Sequence, residues 1–503
     1  MAGLPVRHGW PMVLLRRVLV GLAVLALGVV PSIAPAAAGV DSVQWQACAG
    51  RPDADCATVS IPVDWNRPGG ASTGMAIARH KASKPLQRKG VLFVNPGGPS
   101  GSGVDYALSI SANPRYQALI DDFDIVGFDP RGTNRSSDIA CDQSILDEPV
   151  EWVPATRTQY RDLLAHNDRV ADNCKALNGK LFDHVDTVSV VRDMDLLRRD
   201  LGESKVNYFG VSYGTQIGQQ YLELFGDRLR AIAIDSNMDH SIGATRYEAT
   251  AALAFENSFK DFAAWCARTA SCSLHGQDVL ALWDSLYAKA SAGTLVDSTG
   301  KAVSADELRD LAFEAMYHPA RAWFGLADSL KKLGTPAFAP VTTEDNSYQA
   351  IWCSDWTWPT VNSYHALADL RSVSEAAAPH THFSDFFSDV TSCLGWTGPL
   401  NNPQHALRIR NAPPVLMTNG IHDIATPYEW ATNVAKQIPT ATLLTYDGTG
   451  HGDYSNSLCA RDAIDAYLVD LKLPARGTHC PAEWPTAPTA GSVAPSAVPE
   501  LRH

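Results

Sequence analysis

The sequence lacks several features that would point to particular classes of protein. Its ten cysteines form no C-x-x-C pair, so neither a metal site nor thioredoxin-like chemistry is expected. Basic residues are outnumbered, with 41 Lys and Arg against 54 Asp and Glu and a formal net charge of −13. Because nucleic-acid binding requires surfaces rich in Lys and Arg, no nucleic-acid partner is expected.

The apolar run at the N-terminus is too short for a comfortable membrane span. Residues 18–30 form this run, which follows Arg16 and Arg17 and precedes three small residues at 36–38. This arrangement is typical of a secretory signal peptide. We predict a signal peptide over residues 1–38, a secreted protein and no stable membrane anchor after processing; the alternative is an uncleaved anchor.

Cysteines in an exported chain are expected to form disulfides. Their order along the chain suggests pairing between near neighbours. The suggested pairs are Cys48–Cys56, Cys141–Cys174, Cys266–Cys272, Cys353–Cys393 and Cys459–Cys480.

Apolar runs that end in polar residues recur along the chain and alternate with stretches of helical spacing. The predicted strands are 56–64, 74–80, 90–94, 123–128, 206–209, 230–234, 414–418 and 442–446. Strands alternating with helices predict an α/β fold with a mostly parallel central sheet. We predict a core over 39–240 and 406–480, a mainly helical cap over 241–405, and a Pro- and Ala-rich tail over 481–503.

Two further expectations concern the first half of the core. Asp129 and Arg131 follow a predicted strand and are interpreted as holding its turn and a neighbouring segment, rather than as catalytic residues. Residues 155–200 are expected to be helical, with Leu163, Val170 and Leu177 on one face.

The segment around Ser212 has the pattern of a strand, a sharp turn and a helix. The apolar strand runs into Gly210-Val-Ser-Tyr-Gly214, and Ile217, Tyr221 and Leu224 follow at helical spacing. Glycines flank the serine because such a turn leaves no room for side chains beside it. We therefore predict that Ser212 is a nucleophile at the edge of the sheet.

A second glycine-rich loop, residues 95–103, follows the strand at 90–94. A phosphate-binding loop would need Lys and Ser or Thr after its last glycine, and Val104 and Asp105 stand there instead. The loop is interpreted as turning backbone N–H groups toward an anionic oxygen. The predicted donors are the N–H groups of Gly98 and Tyr213.

A serine hydroxyl needs a base, and the base needs an orienting carboxylate. His451 lies between two glycines after the strand at 442–446, and Asp423 follows the strand at 414–418. We predict His451 as the base and Asp423 as the acid. Asp235 is the alternative acid and Asp453 is interpreted as a loop residue; no metal or other cofactor is expected.

These motifs resemble those of the tripeptidyl aminopeptidase-like branch of the α/β-hydrolases, secreted peptidases of actinobacteria related to prolyl aminopeptidases. The matching segments are Cys56-Ala-Thr-Val with Pro62-Val-Asp64, Asn95-Pro-Gly-Gly-Pro99, Asp129-Pro-Arg-Gly132, Gly210-Val-Ser-Tyr-Gly214, Asp423-Ile-Ala-Thr-Pro427 and Gly450-His-Gly452. The resemblance implies an α/β-hydrolase fold and cleavage of short peptides from a free N-terminus. The sequence departs from the family at Ser100 and Asn134, where the family usually has glycine.

The resemblance also implies a carboxylate that binds the substrate ammonium, and Asp355 is the candidate. Trp352, Trp356 and Trp358, which surround it, are interpreted as packing residues. Peptides are the expected partners. An esterase with the same triad is the main alternative function, and a non-catalytic binding protein is the second.

Overall fold

The computed structural model describes residues 42–297, 300–333 and 346–486. The predicted signal peptide and residues 487–503 of the predicted tail lie outside these ranges. Among the described residues, no helix combines the length and hydropathy that crossing a bilayer requires.

Within the described residues, ten strands form one sheet. They are β1 (Gln46–Cys48), β2 (Arg51–Pro62), β3 (Ser72–His80), β4 (Val91–Asn95), β5 (Asp124–Phe128), β6 (Val206–Val211), β7 (Leu229–Asp235), β8 (Val415–His422), β9 (Ala441–Thr449) and β10 (His479–Cys480). The spatial order is β1-β2-β3-β5-β4-β6-β7-β8-β9-β10. In this spatial order, the three neighbouring pairs from β1 to β5 are antiparallel. The six neighbouring pairs from β5 to β10 are parallel.

Along the chain, helices alternate with the strands from β4 onward. Those up to β7 are α1 (Gly103–Ser111), α2 (Gln117–Asp122), α3 (Gln143–Leu146), α4 (Arg157–Asn178), α5 (Thr187–Asp200) and α6 (Tyr213–Phe225). Between β7 and β8 lie α7 (Ala244–Arg268), α8 (Val279–Ser291), α9 (Ala305–Tyr317), α10 (Pro319–Lys332), α11 (Asn346–Asp355), α12 (Tyr364–Ala377) and α13 (Phe387–Thr391), here called the cap helices. The chain continues with α14 (Tyr428–Gln437), α15 (Asp453–Asn456) and α16 (Leu458–Asp470).

Burial of the central strands explains why the sequence reads as short, continuous apolar runs. Every residue of β4 and of β6 is buried, as expected for parallel strands covered on both faces. Of the three residues whose spacing predicted the helix α6, Ile217 and Tyr221 are buried, but Leu224 is 45% exposed. The eight predicted strands are all present with shifted ends, whereas β1 and β10 were not predicted.

The predicted helical stretch 155–200 is two helices, α4 and α5, separated by a short 3₁₀ turn and Val185-Asp186. Leu163 and Val170 are buried as expected, but Leu177 is 56% exposed in the last turn of α4. The apolar face of the helix therefore ends before the helix does, and the expectation for Leu177 is wrong.

The turn after β5 is held as the sequence predicted. The guanidinium of Arg131 is fully buried, pairs with Asp193 at 2.6 Å and donates to the carbonyls of Pro62 and His184. The carboxylate of Asp129 accepts hydrogen bonds from Ser102 Oγ at 2.6 Å and from the N–H of Val104 at 3.1 Å. Both side chains thus fix loops beneath the site.

Helices α7 to α10 share an apolar cluster that is separate from the one under the sheet, whereas α11, α12 and α13 pack into the cluster of the sheet. Phe259 and Phe262 on α7 pack against Trp283 on α8 and Trp323 on α10. The five suggested disulfides are confirmed, with S–S distances between 1.85 and 2.04 Å. One of them, Cys353–Cys393, joins α11 to the segment after α13. The predicted domain boundaries at 241 and 405 stay a prediction.

Candidate active site

Ser212 lies in the sharp turn between β6 and α6. Its backbone has φ 58° and ψ −130°, a conformation that non-glycine residues rarely adopt outside constrained functional turns. A Cβ on Gly210 would lie 2.5 Å from the carbonyl oxygen of Gly214, and one on Gly214 would lie 2.7 Å from that of Asn95. Only glycine fits on either side of this serine, as the sequence pattern implied.

The glycine-rich loop after β4 passes directly over this turn. A Cβ on Gly97 would lie 2.8 Å from Ser212 Cβ and 2.8 Å from the backbone nitrogen of Tyr213. The loop is held by Asn95, whose Oδ1 accepts the N–H of Gly97 at 2.9 Å. Gly98 has φ 118°. Tyr213 is the first residue of α6, so its N–H lies outside the hydrogen-bond ladder of the helix.

The two departures from the family pattern contact each other in this loop. Asn134 has φ 47° and its Nδ2 donates to the carbonyl oxygen of Ser100 at 2.7 Å. The asparagine adopts the left-handed backbone that glycine would otherwise supply. It also fixes the end of the glycine-rich loop, so the two replacements are structurally linked.

Asp423 and His451 form a buried pair at the ends of β8 and β9. His451 Nδ1 lies 2.9 Å and 3.1 Å from the two carboxylate oxygens of Asp423. The carboxylate also accepts the N–H groups of Ala425 and Thr426, each at 2.9 Å. With Nδ1 donating to Asp423, Nε2 is left as the acceptor, and this buried Nε2 makes no hydrogen bond within the described part of the chain.

Asp235 is not hydrogen-bonded to the histidine but connects the loop of Ser212 with the loop that follows His451. Its backbone carbonyl accepts the N–H of Ser212 at 3.1 Å. Its carboxylate accepts the N–H groups of Asp453 and Tyr454, each at 2.9 Å. Burial raises the pKa of Asp235. Asp453, expected to be an ordinary loop residue, is instead fully buried at the start of α15, and burial together with Asp235 and Asp423 raises its pKa well above the usual value.

The serine and histidine loops lie side by side. A Cβ on Gly452 would lie 3.7 Å from Val211 Cγ1, so the residues next to His451 and Ser212 are in van der Waals reach. Among the described hydrogen bonds, none joins the Ser212 hydroxyl to His451. Such contacts are often long in unliganded enzymes and shorten when substrate binds.

A narrow cavity opens at Ser212, with room for about one water molecule. Its walls come from both the core and the cap helices. The lining residues are Gly98, Ser212, Tyr213, Met238, Tyr247, Tyr348, Trp352, Phe386, Asp389 and Ala425. The predicted nucleophile and both predicted oxyanion residues therefore share one cavity.

Asp355 does not reach this cavity. It is fully buried behind Tyr213, and its carboxylate accepts hydrogen bonds from Tyr213, from Thr187, from Gln216 Nε2 at 3.3 Å and from Asn402 Nδ2 at 2.9 Å. Burial raises its pKa to about 7. Asp355 is not among the residues that line the cavity, and its hydrogen bonds hold α11 against α5 and α6. Its assignment to the substrate ammonium stays a prediction without support from this geometry.

Asp389, which the sequence analysis did not single out, is the carboxylate that lines the cavity. It lies in Phe386-Phe-Ser-Asp-Val390, where apolar neighbours indicate burial. A carboxylate among apolar residues needs hydrogen-bonding or charged partners. That requirement is the signal by which the sequence could have singled out Asp389.

No metal-binding group of three or more His, Cys, Asp or Glu side chains occurs among the described residues. The expectation that the site works without a metal or other cofactor stays a prediction.

Comparison with known proteins identifies the family. The family model described as TAP-like protein matches residues 379–480, the segment that contains Asp423 and His451. The chain is 30% identical to serine protease Hip1 of Mycobacterium tuberculosis, covering 84% of this chain and 87% of the relative. It is 28% identical to the tripeptidyl aminopeptidase of Streptomyces lividans (89% and 88% covered) and 31% identical to carboxylesterase B of M. tuberculosis (85% and 86% covered). The chain therefore belongs to the tripeptidyl aminopeptidase-like family of α/β-hydrolases, and it is a serine hydrolase.

Proposed function

We propose that this enzyme is a secreted exopeptidase that removes short peptides from the free N-terminus of its substrates. The observation that carries the proposal is the buried His451–Asp423 pair, with Nε2 of the histidine unbonded beside the turn that holds Ser212. Relatives named tripeptidyl aminopeptidase and serine protease support a peptide as the substrate. The five disulfides fit an oxidising, extracellular compartment.

The proposed reaction is acyl transfer through Ser212. The serine oxygen attacks the scissile carbonyl while His451 Nε2 takes the hydroxyl proton, and Asp423 stabilises the resulting imidazolium. The N–H groups of Gly98 and Tyr213 receive the oxyanion. When the tetrahedral intermediate collapses, His451 returns the proton to the leaving amine. Water, deprotonated by the same histidine, then releases the N-terminal fragment from Ser212.

The test compares a tripeptide 4-nitroanilide bearing a free N-terminus with its N-acetylated form. We expect kcat/KM to be at least about 10-fold higher for the free amine, since losing a buried charged contact has at least that effect. Labelling by a fluorophosphonate should be lost in Ser212→Ala and retained in Ser109→Ala, a serine of α1 that lies outside the site. Equal cleavage of both anilides would contradict the exopeptidase proposal, and absent labelling would favour a binding protein.

A carboxylic ester hydrolase is the second candidate, because the chain is 31% identical to carboxylesterase B over 460 residues. The same triad serves either reaction. Hydrolysis of short acyl 4-nitrophenyl esters with no cleavage of any tripeptide anilide would favour this candidate.

Secretion is tested separately from activity. Expression of the whole chain in an actinobacterial host, followed by N-terminal sequencing of protein from the medium, should give a mature chain that starts near Gly39. Recovery of the uncleaved chain with the cell membrane would support the anchor alternative.

A further inference from the structure

Asp389 is the one carboxylate among the ten residues that line the cavity at Ser212. The other lining residues that lie on the cap helices or next to them are aromatic: Tyr247, Tyr348, Trp352 and Phe386. Asp389 is only 4% exposed and is one of the residues that line this cavity. Among the described residues that line the cavity, Asp389 is therefore the acidic one, and it shares the cavity with Gly98, Ser212 and Tyr213.

The carboxylate of Asp389 is held by two tyrosines. Tyr247 on α7 donates its hydroxyl to Oδ2 at 2.6 Å, and Tyr348 on α11 donates to Oδ1 at 2.8 Å. The backbone carbonyl accepts the indole N–H groups of Trp352 at 3.0 Å and Trp358 at 3.2 Å. These hydrogen bonds fix both the backbone and the carboxylate of Asp389 in position before any ligand binds.

This arrangement leaves the carboxylate short of a positive partner. Within the described residues, no Lys, Arg or His forms an ion pair with Asp389. Two neutral hydroxyls use two of the roughly four acceptor positions of a carboxylate. A buried carboxylate without a cation is unfavourable, and a cationic ligand in the cavity would remove that cost.

We propose that Asp389 binds the α-ammonium group of the substrate, with Tyr247 and Tyr348 holding its carboxylate in place. The inference rests on the proposed exopeptidase function and names the residue that makes the enzyme require a free N-terminus. Trp352 and Tyr247 present aromatic surfaces to the same cavity, and aromatic faces attract an ammonium group. Asp389 acts on binding and takes no part in proton transfer.

The location of Asp389 explains how binding and chemistry meet in one cavity. Ser212 lies on the core, and Asp389 lies in cap helix α13. A peptide that contacts both residues must therefore cross the boundary between the core and the cap helices. A substrate whose amine is blocked gains nothing from the carboxylate and also forces it to remain buried without a cation. The carboxylate therefore discriminates in two ways: it favours binding of the substrate with a free amine and disfavours binding of the substrate with a blocked amine.

The decisive variant is Asp389→Asn, tested on three substrates: the tripeptide anilide with a free amine, its N-acetyl form and a short acyl ester without an amine. We expect kcat/KM for the free amine to fall about 30-fold or more, mainly through KM, as for loss of a buried charge partner. The ester should change by less than about threefold, because it makes no ionic contact.

Glu248→Gln is the matched control. Glu248 is a fully buried carboxyl next to Tyr247 in sequence, but it bonds Ser374 and does not line the cavity. Burial raises the pKa of Glu248 to about 8, so near pH 7 the group is largely uncharged, and its replacement by Gln should leave the ratio of free-amine to ester kcat/KM unchanged at that pH. A parallel loss of both activities in Asp389→Asn, or no loss in either, would overturn the proposal.

The outcomes separate this inference from the proposed function. If the unaltered enzyme cleaves the free and acetylated anilides equally, the exopeptidase function fails. If it discriminates and Asp389→Asn discriminates equally well, only the assignment of Asp389 fails. Should Asp389→Asn not fold, Tyr348→Phe supplies the test: KM for the free amine should rise several-fold while the ester is unaffected, and unchanged KM contradicts the proposal.

The pH dependence of KM gives a second measurement. Burial raises the pKa of Asp389 to about 7. The titratable groups that face it are Tyr247 and Glu248 on α7, Tyr317 on α9, Tyr348 on α11 and Asp385 before α13. Because the ammonium needs the ionised carboxylate, KM for the free amine should rise as pH falls below about 7, and KM for the ester should not. Identical pH profiles of KM for the two substrates would contradict the assignment.

Discussion

The core sheet and the cap helices line the same cavity but are built differently. On the core side, Gly98 and Ser212 lie in loops that follow strands and Tyr213 begins α6. Backbone hydrogen bonds of the sheet and its turns fix these residues. On the cap side, Tyr247 and Asp389 belong to helices held by aromatic packing, such as the stack of Trp352 on Trp356 with ring centres 4.8 Å apart. The proposed function therefore assigns the reaction to the core and the choice of substrate to the cap.

Two buried carboxyls of the cap sharpen this contrast. Burial raises the pKa of Asp355 and of Asp389 alike, to about 7 in each case. Asp355 is surrounded by donors from α5, α6 and the segment before β8, so it serves the packing of core against cap. Asp389 has two hydroxyl partners and is one of the residues that line the cavity at Ser212. What separates a structural from a binding carboxylate here is access to the cavity, not the degree of burial.

The largest effect is expected from the core. Asp423→Asn removes the orienting acceptor of His451 and should lower kcat by about 10⁴-fold on anilide and ester alike. Steady-state kinetics on both substrates check it. Asp235→Asn is the control, since Asp235 holds the loops without contacting the imidazole, and its main effect should be a lower Tm. If Asp235→Asn lowers kcat more than Asp423→Asn does, the acid has been assigned to the wrong strand.

Gly97→Ala should have the next largest effect. The added Cβ would lie 2.8 Å from both Ser212 Cβ and Tyr213 N, at a backbone φ of 102°. Displacing the loop removes an oxyanion donor, so kcat should fall about 10²–10³-fold on both substrate classes. Gly325→Ala on α10, which meets nothing within 4 Å, should retain full activity. Selective loss on the free-amine substrate alone would mean that this loop belongs to recognition.

Removing the Cys353–Cys393 disulfide should affect recognition more than chemistry. The bond closes 40 residues of cap, and its double serine variant should lose about 3–4 kcal/mol in the free energy of unfolding. Since it joins α11 to the end of α13, KM for the free-amine anilide should rise several-fold with kcat for the ester unchanged. The Cys48–Cys56 variant at the sheet edge should leave KM as it is; equal changes in KM would erase the distinction between core and cap.

The smallest kinetic effect is expected from Glu248→Gln. This variant tests the burial of Glu248 in the cap through the pH dependence of the free energy of unfolding. Burial raises the pKa of Glu248 to about 8, above its unfolded value of about 4.3. Because the folded pKa is raised, the unaltered protein is most stable below the unfolded pKa and loses that stability as pH rises toward 8. The variant should therefore match it near pH 4 and exceed it by a few kcal/mol near pH 8. A Tm difference independent of pH would contradict the burial of this group.

The core could be read from the sequence to a large extent. Val206–Val211, the glycines around Ser212 and the glycines around His451 each carry a local signal, because buried parallel strands are continuously apolar and tight turns require glycine. The edge strands β1 and β10 lack that signal, being three and two residues long. The enclosure of Asp355 could not be read from the sequence for a different reason, since its partners come from α5 and α6, far away in the chain.

The sequence by itself determined the α/β alternation and the segments that carry Ser212, Asp423 and His451, since each depends on residues close together in the chain. It suggested the five cysteine pairs from their order, and the structure supplied their connectivity. Only the tertiary structure decided which carboxylate faces the cavity. Tyr247 reaches Asp389 across 142 residues of sequence, and whether a buried acid is enclosed or accessible depends on helices whose packing no local pattern specifies.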